Sequence, residues 1–129
     1  MGTLRFSLPN VYGGLADAQG ITRFEGDTLT LEFQIKDGLV GAIRLGPKRV
    51  VLPLTDLESI SYSSGWFRST VVIQTRTLEA SAEIPGSDVG MITLCVTRKN
   101  RAAAQEFAST VNLRISGRKV DQIREELDL

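Results

Sequence analysis

Up to Lys99 the apolar side chains of this chain alternate with polar ones, and from Asn100 onward they return every third or fourth residue. A period of two marks a strand with one buried face and a period near 3.6 marks an amphipathic helix, so the switch predicts several strands followed by one helix that covers them. The clearest alternation runs over residues 28–36, where Leu29, Leu31, Phe33 and Ile35 face a core and Thr30, Glu32, Gln34 and Lys36 face water. Behind Asn100, a good N-cap, Ala104, Phe107, Ala108, Val111 and Ile115 line one side of a helix of about four turns. Its alanines allow close approach to a sheet, with Phe107 as the large plug of the core.

Turn chemistry divides the strand region. Asp37-Gly38 predicts a two-residue hairpin turn with residues 39–45 as the returning strand. Gly46-Pro47 predicts another turn, and 49–53 a short strand stopped by a proline. Residues 56–62, 70–75, 78–84 and 91–97 complete a set of seven, with the polar 63–65 loop ahead of Trp66 and Phe67 and a turn-rich 85–90 segment ahead of the last strand. The expected fold is mainly β, of α+β type: a seven-stranded antiparallel sandwich or open barrel capped by one C-terminal helix. Residues 27–116 form this domain. Residues 1–26, with short strands at 4–8 and 21–24 around Gly13-Gly14, are expected as an N-terminal extension packed on its edge. Gly117 is expected to end the helix, leaving 117–129 as a charged, partly helical tail whose Val120, Ile123 and Leu127 share one side and suit a docking site elsewhere.

The chain has no histidine, which removes the commonest general base near neutral pH and the usual partner of a Ser or Cys nucleophile. Asp27, Glu32, Asp56, Glu58 and Glu79 are scattered singly among turns and strand faces, the ordinary place for solvated carboxylates. The single cysteine, Cys95, cannot form an intrachain disulfide and has no histidine with which to build a zinc site, so it is expected to serve packing. Fifteen basic residues against fifteen acidic ones leave no net field for nucleic acid. No apolar run approaches the roughly 20 residues of a membrane span, and residues 1–12 lack a secretory pattern. The expectation is a cytoplasmic protein that is not an enzyme and uses no cofactor, no metal and no nucleic acid.

Four strings carry a family resemblance: Leu29-Thr-Leu-Glu-Phe-Gln, Val51-Leu-Pro-Leu-Thr-Asp-Leu-Glu-Ser-Ile, Ile84-Pro-Gly-Ser and Arg101-Ala-Ala-Ala-Gln-Glu-Phe-Ala. Together with the order of seven strands then one helix, they resemble the bacterial pleckstrin-homology-like (PH-like) proteins over residues 27–115. The resemblance implies two near-orthogonal sheets with a helix capping an open corner, and a non-enzymatic module that often self-associates. In phosphoinositide-binding PH domains, basic side chains on the first strands surround the headgroup phosphates. Lys36 and Arg44 match that pattern in part, Leu45 and Gly46 depart from it, and Lys48 and Arg49 are the further basic residues nearby.

Trp66 and Phe67 cannot both face one core from a single strand, so one is expected to point outward, beside Arg68, as a partner contact. The leading expectation is an interaction module that forms homo-oligomers or binds a protein partner through an open sheet edge or the Trp66 loop, with Val120, Ile123 and Leu127 as a second docking element. The alternative is peripheral binding of an anionic lipid headgroup or a phosphorylated small ligand through Lys36, Arg44, Lys48 and Arg49.

Overall fold

Among the described residues, seven strands form one antiparallel sheet: β1 (Gly2–Val11), β2 (Ala16–Glu25), β3 (Thr28–Asp37), β4 (Ile43–Pro53), β5 (Leu57–Ser64), β6 (Arg68–Thr75) and β7 (Met91–Thr97). A one-turn helix α1 (Leu78–Ser81) stands between β6 and β7, and the 27-residue helix α2 (Arg101–Leu127) follows β7. The computed structural model describes residues 2–11, 16–37, 43–66, 68–84, 87 and 89–127, with backbone alone for 9–11, 16, 17, 36, 37 and 43–46.

The strand order is β4-β3-β2-β1-β7-β6-β5, which puts β4 and β5 at opposite ends of the sheet although they are consecutive in the chain. Laid flat, those two strands would lie roughly 29 Å apart at about 4.8 Å per strand. The three residues that join them, Leu54–Asp56, can reach no further than about 14 Å. The sheet is therefore curled into an open barrel whose two edges approach without pairing. The seam between β1 and β7 is slender, with Ser7↔Cys95 as its one register pair among the described residues. Helix α2 packs mainly on β5 and also touches β1, β6 and β7, so it lies across that seam and holds the two parts of the sheet together.

One cluster forms the core. The inward positions of β1 (Leu4, Phe6, Leu8), β3 (Leu29, Leu31, Phe33, Ile35), β6 (Val71, Ile73) and β7 (Ile92, Leu94, Val96) meet Ala104, Phe107, Ala108, Val111 and Ile115 of α2. Cys95 is buried. Gly20 occupies an inward position of β2 with Phe6 and Phe33 as its register partners. A Cβ there would lie 2.0 Å from the Glu32 carbonyl oxygen, so only glycine lets β2 and β3 close up at this point and the sheet bend.

Several sequence expectations give way. Residues 1–26 are not an extension on the edge, because β1 and β2 sit in the middle of the sheet and β1 joins its two parts. Residues 39–45 and 49–53 are not two strands around a turn: β4 is continuous, and Gly46-Pro47 is accommodated as a bulge between the pairs Ile35↔Leu45 and Phe33↔Lys48. Asp37-Gly38 does not close a two-residue turn, since Lys36 pairs with Ile43; residues 38–42 lie outside the described residues. The tight turn is instead Gly26-Asp27, with φ of 54° and 64°, joining the pair Glu25↔Thr28.

Residues 78–84 are not a strand. Thr77 caps α1 by accepting from the Ala80 N–H at 3.3 Å, and the good helix formers Leu78, Glu79 and Ala80 outweigh a weak alternation. Gly117 does not end α2, which continues to Leu127. Glycine inside a helix costs only about 1 kcal/mol against alanine, and contacts made from both sides of Gly117 support the continuation.

Candidate interaction surfaces

Helix α2 has two different halves. Its buried residues are Ala104, Phe107, Ala108, Val111 and Ile115, and every described residue from Ser116 to Leu127 is exposed. A helix of this length runs about 40 Å, so roughly the last 18 Å projects beyond the docked face. Two exposed contacts flank the point where it leaves the sheet. Arg114 Nε donates to Asp27 Oδ1 at 2.9 Å, and its Nη2 donates to the same oxygen. Lys119 Nζ donates to the Glu58 carbonyl at 3.0 Å and to Glu58 Oε1 at 3.1 Å, while Arg76 stands 3.9 Å from the other Glu58 oxygen. Each exposed pair contributes at most about 1 kcal/mol. Their combined effect is to set the rotation of the helix about its own axis.

An apolar stripe is left in water along the helix. Leu113 is 71% exposed, Val120 49%, Ile123 54% and Leu127 78%. Leu113, Val120 and Leu127 are spaced by seven, with Ile123 three residues after Val120. At about 100° per residue they fall within an arc of roughly 80°, centred about 150° from the docked stripe. A spacing averaging 3.5 is the pattern of helices that pair with another helix.

The loop between β5 and β6 presents another large apolar side chain. Gly65 N–H donates to the Arg68 carbonyl at 2.9 Å, and a Cβ on Gly65 would stand 2.4 Å from that oxygen, so the loop closes tightly only with glycine there. Trp66 at its tip is 85% exposed and Arg68 is exposed beside it. Phe67 lies outside the described residues.

Of the basic residues on β3 and β4, Lys48 and Arg49 do not share a face. Lys48 and Arg49 are consecutive in β4 and so point to opposite sides of the sheet. Arg49 also faces Glu32 directly across the ladder. The backbones of Lys36 and Arg44 belong to β3 and β4, and their side chains lie outside the described residues.

The free edge of the sheet is poorly suited to taking another strand. Leu54 N–H donates to the Asp27 carbonyl at 2.8 Å, which fixes the alternation along β4: Val50 and Leu52 bond to β3, while Arg49 and Val51 turn outward. Pro47 and Pro53 flank this stretch and have no N–H to give, the usual protection of an edge strand. The opposite edge strand, β5, is the one α2 covers most.

A surface groove of about 390 Å³ lies between α2 and the Asp27/Leu54 corner, with Arg114, Arg118, Asp121 and Glu125 along it. Its carboxylates are interleaved with guanidinium groups, an arrangement that neutralises charge. Among the described residues no group of three Cys, Asp or Glu stands close enough to hold a metal ion, and no helix is long and apolar enough to cross a membrane.

Sequence reasoning placed Val120, Ile123 and Leu127 on one side of a separate tail; the structure puts them on the same continuous helix as the core contacts. It missed Leu113, whose seven-residue spacing from Val120 was visible but was obscured by reading Gly117 as a break. No family model, curated protein or solved structure matches this chain.

Proposed function

We propose that this chain is a non-enzymatic protein-interaction and scaffolding module of the bacterial PH-like type, that it acts in the cytoplasm, and that it self-associates. The observation that carries this reading is the apolar stripe of Leu113, Val120, Ile123 and Leu127, exposed on a helix whose first half is locked into the core. Exposed apolar side chains lined up on one continuous helix, with charged neighbours on either side, are the mark of a surface that spends part of its time covered. Support for the PH-like kinship comes from the quoted strings and from the order of seven strands then a capping helix. A non-enzymatic role is supported by the missing histidine and by the engagement of Asp27 with Arg114 and of Glu58 with Lys119. The single, buried Cys95 suits a reducing compartment.

The alternative, an anionic lipid headgroup or phosphorylated small ligand held by Lys36, Arg44, Lys48 and Arg49, ranks lower because Lys48 and Arg49 point to opposite faces and Arg49 stands across from Glu32. Light scattering on the full chain, between about 5 µM and about 500 µM, tests the proposal over the range where weak self-association registers. The mass should rise with concentration. A constant monomer mass, with sedimentation of the protein on anionic vesicles that salt abolishes, would favour the alternative.

A further inference from the structure

We infer that the projecting half of α2 pairs antiparallel with the same segment of a second copy of this chain. This rests on the self-association proposed above and adds its surface and its geometry. Three observations point to it. First, the stripe runs down the side of α2 roughly 150° away from the side that meets the sheet, so a second helix can lie along it without touching the first copy's core. Aligned antiparallel about the midpoint between Val120 and Ile123, Val120 of one copy packs on Ile123 of the other, and Leu127 packs beside Ser116. The two sheets then sit at opposite ends and on opposite sides of the pair, clear of each other.

Second, the flanking charges choose the direction. The residues bordering the stripe are Lys119 and Glu126 on one side and Gly117 and Arg124 on the other. In an antiparallel pair each Lys119 faces Glu126 of the second copy, giving two attractive contacts. A parallel pair in register would set each Lys119 against Arg124 of the second copy and repel. Lys119 directs hydrogen bonds to two Glu58 oxygens, which leaves one of its three donors for this contact.

Third, Gly117 falls where Arg124 of the second copy crosses. A Cβ at Gly117 would meet nothing within 4 Å in the monomer, so neither packing nor backbone conformation within one copy requires a glycine there. The pairing supplies a use for the space. The interface is small: covering Val120, Ile123 and Leu127 with the stems of their neighbours removes on the order of 400 Å² from each copy, at the low end of specific interfaces, so the dimer is weak and reversible.

Sedimentation equilibrium of the full chain tests this. The average mass should rise from 14.1 kDa toward twice that value between about 5 µM and about 500 µM. Ile123→Glu should weaken association by more than about tenfold while far-ultraviolet circular dichroism and the melting temperature of dilute protein stay unchanged, because Ile123 is exposed in the monomer. Glu126→Lys should weaken the dimer, and Lys119→Glu added to it should restore the dimer. A mass that never rises overturns both this inference and the self-association beneath it. A dimer indifferent to Ile123→Glu leaves self-association standing and overturns the helix surface. A dimer that Glu126→Lys strengthens or leaves unchanged overturns the antiparallel order.

Discussion

Replacing Phe107 by alanine removes the largest side chain that α2 contributes to the core. Phe107 is 3% exposed, and its ring lies 3.0 Å from where a Cβ on Gly2 would stand, wedged against the first residues of β1. Truncating a buried Phe to Ala costs about 3–5 kcal/mol through lost burial and the cavity left behind. A domain of this size holds only about 5–15 kcal/mol in total. The loss corresponds to a fall of roughly 10–20 °C in melting temperature. Because α2 spans the slender β1–β7 seam, the sheet should lose its cooperativity with the helix, not after it. The assay is thermal and urea unfolding followed by circular dichroism together with tertiary-contact signals, with Val120→Ala in the projecting half as a control that shifts stability by no more than about 0.5 kcal/mol. A Phe107→Ala protein melting within about 2 °C of the parent, or one whose helix melts separately while the sheet persists, would refute the role given to α2.

Two further substitutions probe the bend and the long β6–β7 connection. Gly20→Val forces a side chain to within 2.0 Å of the Glu32 carbonyl position and should cost about 3 kcal/mol or more; a variant with parental urea stability would mean that β2 and β3 do not close up there. Thr75 donates from its hydroxyl to the Thr77 carbonyl at 2.7 Å and lies 3.1 Å from that of Gly90, so Thr75→Val should cost about 1–3 kcal/mol, read as a shifted urea midpoint with an unchanged slope.

How much of this was legible in the sequence depended on what filled the inward positions. β3 was plain because Leu29, Leu31, Phe33 and Ile35 are all large and apolar. β2 was obscured because its inward residues include Ala18, Gly20 and Thr22, which carry little hydrophobic signal although Ala18 and Thr22 are fully buried. Thr22 is accommodated there by donating its hydroxyl to the Thr30 carbonyl at 3.0 Å. The expected number of strands was right for partly wrong reasons: two central strands at the N-terminus were underrated, β4 was divided at Gly46-Pro47, and α1 was taken for a strand. The pairing of β1 with β7 joins residues far apart in the chain, which no local periodicity reveals. For the surfaces, the line of Val120, Ile123 and Leu127 followed from spacing alone, whereas alternation left open which of Trp66 and Phe67 faces out; Trp66 is exposed and Phe67 lies outside the described residues. The division of Lys48 from Arg49 is equally local, yet the grouping by charge had overlooked that neighbouring strand residues face opposite ways.

The central claim is that one helix is half core and half free. Amide hydrogen exchange along α2, measured at low micromolar concentration where copies do not pair, reads it residue by residue. Amides from Ala104 to Ile115 should exchange only with global unfolding, protection should fall after Lys119, and residues 122–127 should exchange by local fraying. Protection that stays uniform to Leu127 in the dilute monomer, or that is absent from 104–115, would contradict the account.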